Sequence, residues 1–189
     1  RADYAAPLGD RLLTVSADGT GQIWKVGDKA LEPLVTLQGH ALPVLAGAFS
    51  PGGKLVVTCS DDNSARVWDA TTGAELSRLL GHTAAVTAAV FSTDGRRVLT
   101  GSYDNTAKLW ELGQENGVAG RQQGDSKRLE PLQGSELLTL SGHTQGVTSV
   151  VFSQDGRQAL TGSLDGTAIV WPAAVWAAAP QPDAVARRP

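Results

Sequence analysis

Short apolar runs of five or six residues, separated by turn residues, fill this chain from Arg11 to Trp171. In the clearest stretch, Val147–Phe152 reads as one strand, Arg157–Thr161 as a second and Thr167–Trp171 as a third. Asp155-Gly156 and Asp165-Gly166 supply the tight turns, because glycine accepts the positive φ that such hairpins demand. Glu136–Leu140, just upstream, makes a fourth strand. The same template predicts Val44–Phe49, Lys54–Cys59, Ser64–Trp68 and Glu75–Leu80, then Val86–Phe91, Arg96–Gly101 and Thr106–Trp110. Near the start, Arg11–Val15, Gly21–Val26 and Leu34–Leu37 match the second, third and fourth strands, while Ala2–Ala6 reads as the frayed end of a first. No helix is evident, so the pattern predicts an all-β chain of four-stranded antiparallel units.

The units are near-copies of one another. Trp24, Trp68, Trp110 and Trp171 each follow a Ser-x-Asp-(Gly/Asn) turn by a few residues, at spacings of 44, 42 and 61. Three units open with Gly-His, and His40, His82 and His143 are spaced by 42 and 61. A period of roughly 40–45 residues carrying Gly-His and a terminal Trp is the signature of one propeller blade per repeat. The pattern resembles the WD40 repeat family from about Arg11 to Trp171. Only Trp68-Asp69 carries the eponymous dipeptide; the others read Trp24-Lys25, Trp110-Glu111 and Trp171-Pro172. The resemblance implies a β-propeller fold and a role in protein–protein interaction.

The count departs from the family. Residues 1–38 form a partial blade without Gly-His, residues 39–80 a complete one, residues 81–140 one with an inserted loop at 112–135, and residues 141–171 the last. Residues 172–189 form an Ala/Pro-rich tail or linker carrying Trp176, and proline there removes ladder donors. About four blades, three complete and the first partial, predict an incomplete ring with an exposed blade face. Either further blades lie in a longer parent chain, or two copies pair into a ring of about eight. The absence of any Met, including an initiator, also suggests a piece of a longer or processed chain.

Composition narrows the function classes. A net charge of −3 argues against non-specific attraction to nucleic acid or an anionic membrane. No stretch approaches the roughly 18 apolar residues needed to span a bilayer. A single cysteine, Cys59, precludes an intrachain disulfide and fits a cytoplasmic chain. Cys59 aligns with Gly101 and Gly162 and therefore reads as a packed small residue.

Each repeat contains His, Ser or Thr, Asp and Trp, which invites a hydrolase reading, since a nucleophile needs a base and the base an orienting carboxylate. Recurrence argues against it. The sets His40, Ser60, Asp62, Trp68, then His82, Ser102, Asp104, Trp110, then His143, Ser163, Asp165, Trp171, with Ser16, Asp18 and Trp24 in the first unit, would make equivalent active sites in every blade. A repeated buried hydrogen-bond network fits better. Thr161 and Ser163 share one face of their strand, so either can supply the hydroxyl. Three His on different blades cannot gather around one metal, no cofactor motif is present, and Asp61-Asp62 reads as a turn rather than a cation site.

Function is therefore sought where the repeats differ. The Gly-His loops and the turns between second and third strands share one rim. There Leu42, Tyr103 and Leu164, with Asp61, are the candidate contacts for a partner. The expectation is a non-enzymatic scaffold that binds a protein or peptide on this rim, without cofactor or metal. The alternative is a regulatory or sensing segment of a larger parent whose catalytic domain lies outside this chain.

Overall fold

The computed structural model describes residues 2–113 and 134–174, and every sheet among them is antiparallel. The first sheet contains β1 (Ala2–Leu8), β2 (Arg11–Ser16), β3 (Thr20–Val26) and β4 (Leu31–Gln38). The second contains β5 (Val44–Phe49), β6 (Leu55–Ser60), β7 (Ser64–Asp69) and β8 (Glu75–Leu80). The third contains β9 (Val86–Phe91), β10 (Arg97–Ser102), β11 (Thr106–Leu112) and β12 (Gly134–Ser141). The fourth contains β13 (Val147–Phe152), β14 (Gln158–Ser163) and β15 (Ala168–Pro172). Each sheet is a meander in chain order; connections of a few residues favour nearest-neighbour pairing within it, except between β11 and β12, which residues 113–133 separate.

The first unit, expected to be partial, is a full four-stranded sheet. β1 pairs with β2 from Leu8↔Arg11 to Ala2↔Ser16. Its sequence gave little strand signal, but pairing is made by the backbone, and an edge strand tolerates Pro7. What the first unit lacks is its Gly-His. The three-stranded sheet among the described residues is instead the fourth. Of the insertion expected at 112–135, Leu112 belongs to β11 and Gly134 opens β12. Residues 114–133 lie outside the described residues, as does the tail from residue 175, with Trp176.

The sheets stack face to face in chain order. Leu13, Val15 and Ile23 of the first sheet pack with Val44, Val56 and Trp68 of the second. Val57, Cys59 and Val67 of the second pack with Val98 and Trp110 of the third. Leu99 and Leu109 of the third pack with Val150, Ala159 and Trp171 of the fourth. From the second sheet on, each Trp-bearing face therefore lies against the preceding sheet. Covered on both sides, β6 and β7 are buried throughout, and their sequences are accordingly apolar runs without clean alternation. At Gly101 the approach is close, since a Cβ there would meet Val147 Cγ1 at 2.7 Å.

The repeats also share their irregularities. In all four sheets the first and second strands slip register at one place: Ala2/Tyr4, Val44/Ala46, Gly101/Ser102 and Val147/Ser149. A bulge at a fixed position increases twist and re-aims the strand end, here beside the turn that carries the Asp.

Candidate functional site

Hydrogen bonding in each of the last three sheets runs from the buried Trp to the rim. In the second sheet, Trp68 Nε1–H donates to Thr58 Oγ1 at 2.8 Å. Thr58 Oγ1 lies 2.8 Å from His40 Nε2, and His40 Nδ1 lies 2.8 Å from Asp62 Oδ2. The third sheet repeats this with Trp110–Thr100 at 2.8 Å, Thr100–His82 at 2.7 Å and His82–Asp104 at 2.7 Å. The fourth has Trp171–Thr161 at 3.0 Å, Thr161–His143 at 2.8 Å and His143–Asp165 at 3.0 Å. In the first sheet the relay is shortened to Trp24–Thr14 at 2.8 Å, with no His to extend it.

The hydroxyl that joins His to Trp is thus Thr58, Thr100 or Thr161, resolving the choice left open between Thr161 and Ser163. The serines brace the rim instead. Ser60 Oγ donates to Leu42 O at 3.1 Å, Ser102 Oγ to Ala84 O at 3.0 Å and Ser163 Oγ to Gln145 O at 2.8 Å. Each also accepts the backbone N–H of the following Asp. That Asp uses its two oxygens differently. Asp62 Oδ1 accepts from Ser64 N–H and Oγ–H, while Oδ2 accepts from His40 and the Ala41 N–H. In the first sheet Ser16 and Asp18 keep the turn half of the arrangement, with Thr20 donating to Asp18.

The electrostatics follow from burial. Burial disfavours the charged imidazole and lowers the pKa of His40 and His82, despite their Asp partners. A neutral ring that donates from Nδ1 to Asp and accepts at Nε2 from Thr satisfies every member of the chain. Burial pushes the Asp62 carboxyl up, but hydrogen bonds from Ser64 and His40 outweigh it and hold the group down to about 2. Asp104 is lowered against the same penalty by Thr106 and His82. In Asp165 the hydrogen bond from Thr167 leads and the pKa is again lowered.

The bond order Thr–His–Asp matches that of a catalytic triad, yet the chemistry is closed off. Thr58, Thr100 and Thr161 are buried to 1% exposure or less, and each already accepts a Trp N–H. Such an oxygen is closed to a substrate carbonyl in this arrangement, and the hydrogen bonds it makes tie strands and loops together. Among the described residues no group of three or more His, Cys, Asp or Glu is placed to hold a metal ion. None of their helices is long and apolar enough to cross a membrane. Cys59 is fully buried behind the Ala46 carbonyl, and burial pushes its thiol up to about 12.

Two buried cations escaped the reading of the sequence. Arg66 is buried on β7 and pairs with Glu75 at 2.6 Å and Asp62 at 3.5 Å. Lys108 holds the same position on β11, bonded to Glu136 and Thr139 at 2.8 Å. The legible signal was a cation two residues before Trp68 and Trp110, on the same strand face, with an acid near the start of the following strand.

This bracing fixes the rim. The backbone N–H groups of Asp61, Tyr103 and Leu164 donate to Pro43, Ala85 and Gly146 of the Gly-His loops, each at 3.0 Å. Leu42, Tyr103 and Leu164 stand exposed by 50%, 51% and 59%, whereas Asp61 is half-buried. Tyr103 lies against Gly146 of the next blade, where a Cβ would come within 2.5 Å of its Cδ1.

Stacked antiparallel sheets of three or four described strands, the last three sheets each locked by a Trp-to-Asp relay, define a β-propeller repeat protein. The chain belongs to the WD-repeat family: it matches the family described as WD domain, G-beta repeat, at residues 31–69, 73–111 and 134–172, more than half its length. Each match begins at the outer strand of one sheet and ends at the third strand of the next, so the sequence repeat and the structural blade are offset by one strand. The chain is 42% identical over 72 residues to the nuclear distribution protein nudF of Aspergillus flavus, covering 38% of this chain and 16% of that protein. It is 33% identical over 75 residues to the protein LST8 homolog of Dictyostelium discoideum, covering 33% and 25%. It is 38% identical over 68 residues to WD repeat, SAM and U-box domain-containing protein 1 of Gallus gallus, covering 36% and 14%. The matched segments thus span a quarter or less of these relatives.

Proposed function

We propose that this chain is a non-enzymatic WD-repeat scaffold that binds a protein or peptide partner on the rim built from the Gly-His loops and the Asp turns. The observation that carries this is the trio of side chains Leu42, Tyr103 and Leu164, exposed on loops whose backbones are held by hydrogen bonds from the serines and from the Asp turns. A rigid platform with a protruding aromatic residue binds at low entropic cost, because little is left to order. Tyr103 is the central anchor, Leu42 and Leu164 flank it, and Asp61 adds a polar contact. Screening the chain against a displayed peptide library tests this. Peptides selected by the native chain should lose about tenfold or more in affinity against Tyr103→Ala and less against Leu42→Ala, while Asp10→Asn at the far end of the first sheet changes nothing. Unchanged affinity for Tyr103→Ala would sink the rim assignment.

A second reading has its own support. One relative joins WD repeats to SAM and U-box domains by name, and the matched segments cover only a fraction of each relative. In this reading the rim is the sensing surface of a larger regulatory protein with its catalysis encoded elsewhere. The proposed location is the cytoplasm, motivated by a single, buried cysteine; fractionation of cells expressing a tagged chain checks it.

A further inference from the structure

The connections that form the Gly-His rim carry one sign of charge. They are residues 17–19, 39–43, 61–63, 81–85, 103–105, 142–146 and 164–167, and together they contain five aspartates and no Lys, Arg or Glu. The described connections of the opposite rim are balanced, with Lys29, Lys54, Arg96 and Arg157 against Asp10, Asp28, Asp94 and Asp155. The buried cations Arg66 and Lys108 pair with Glu75 and Glu136, so they leave the balance of the Gly-His rim unchanged. Burial keeps His40 and His82 neutral, and they do not offset the carboxylates either. Four of the five aspartates brace their own turns: Asp18, Asp62, Asp104 and Asp165 each accept from the residue two places on. Asp61 does not. It holds the position occupied by Ala17, Tyr103 and Leu164 in the other sheets, is half-buried, and its carboxylate has no partner among the described residues. Its backbone N–H donates to Pro43 O at 3.0 Å and Ser60 Oγ donates to Leu42 O at 3.1 Å, which seats Asp61 beside the Leu42 loop. Tyr103 lies against Gly146, whose carbonyl accepts the Leu164 N–H at 3.0 Å, so these two exposed side chains flank one loop.

Resting on the rim reading above, we infer that the partner is a cationic peptide segment, with a Lys or Arg paired to Asp61 and an apolar side chain packed on Tyr103 and Leu164. Charge complementarity carries the choice. An acidic segment would bring like charges together on a rim that offers no cation to receive it. A wholly apolar segment would cover Asp61 and leave a carboxylate desolvated without a partner. A cation beside an apolar residue meets both demands. The other four carboxylates are held by their turns, and their summed field attracts the segment without bonding to it.

A displayed peptide library in which Lys, Arg, Asp and Glu are equally frequent, panned on the 189-residue chain, tests this. Peptides that lose affinity for Tyr103→Ala define the rim binders, and these should carry an excess of Lys and Arg. Their affinity should fall about fivefold for Asp61→Asn, fall further for Asp61→Lys and stay near native for Asp61→Glu. Added salt should weaken the native complex more steeply than the Asp61→Asn complex, because one ion pair fewer is left to screen. The Asp61 side chain bonds to nothing among the described residues, so the three variants should keep the native circular dichroism. Rim binders with no basic excess, or with an acidic one, overturn the inference and leave the rim standing. Affinity that is indifferent to Asp61→Lys does the same. A pool in which no peptide depends on Tyr103 overturns the rim reading and this inference together.

Discussion

His82 and Asp104 are separated by 22 residues of sequence and by 2.7 Å between Nδ1 and Oδ2. The contact ties the loop that opens a blade to the turn that precedes its Trp strand. Because Thr100 links the same His to Trp110, removing one member strands its neighbours in a dry site. Thr100→Val, nearly isosteric, should cost about 2–3 kcal/mol, while Thr100→Ser should recover most of it. In the first sheet Thr14→Val should cost only about 1 kcal/mol, since Thr14 serves one half-buried Trp and no His. Urea midpoints of the three variants check this; equal losses for Thr14→Val and Thr100→Val would contradict the account.

Stability should fall with acid in two windows. His40 and His82 are lowered from 6.5 on folding, so the unfolded chain takes up protons first as the pH drops below that value. Stability is therefore full above 6.5 and lost progressively below it, until the folded imidazoles also titrate. Asp62, lowered from 3.8 to about 2, adds stability that is present above 3.8 and lost as the pH falls toward 2. A urea midpoint unchanged between pH 7.5 and 5 would rule out the neutral, buried imidazoles.

The turns after the four Asp residues demand a positive φ: Gly19 at 87°, Asn63 at 64°, Asn105 at 70° and Gly166 at 80°. Asn105→Gly should be tolerated within about 0.5 kcal/mol, because glycine enters this region without Cβ strain. Asn105→Val should lose about 1–2 kcal/mol, since β-branching makes the left-handed region costly. Thermal unfolding of the two variants gives the comparison, and equal midpoints would refute it.

Cys59 should be silent in the native state. A thiol pushed up to about 12 carries almost no thiolate at neutral pH, and its burial excludes reagents as well. Reaction with a chromogenic disulfide should proceed only after unfolding in urea. Rapid stoichiometric labelling of the folded chain would show that β6 opens readily.

Most of the architecture was legible because the repeats punctuate themselves. The Asp turn and the terminal Trp mark the same points in all four units and Gly-His a third point in three of them, and the short apolar runs between them read as strands. β1 was the exception. Its residues carry almost no strand signal, and its place is held by backbone pairing to β2, which composition does not encode. The choice between Thr161 and Ser163 was also hidden, since both sit on one strand face. Only the depth of each along β14 separates them: the Thr reaches the buried Trp171, and the Ser reaches the loop carbonyl of Gln145.

The sequence by itself determined the blade: the length of its strands, the turns that need glycine or asparagine, and the residues that recur as bracing. Those are local or periodic properties, and the last three units carry them whole. The tertiary structure decided which faces are covered. Leu99 and Leu160 occupy the same position and are both leucine, yet one is wholly buried and the other is not. Burial on a sheet face depends on whether another sheet is stacked there, and no residue states that about itself.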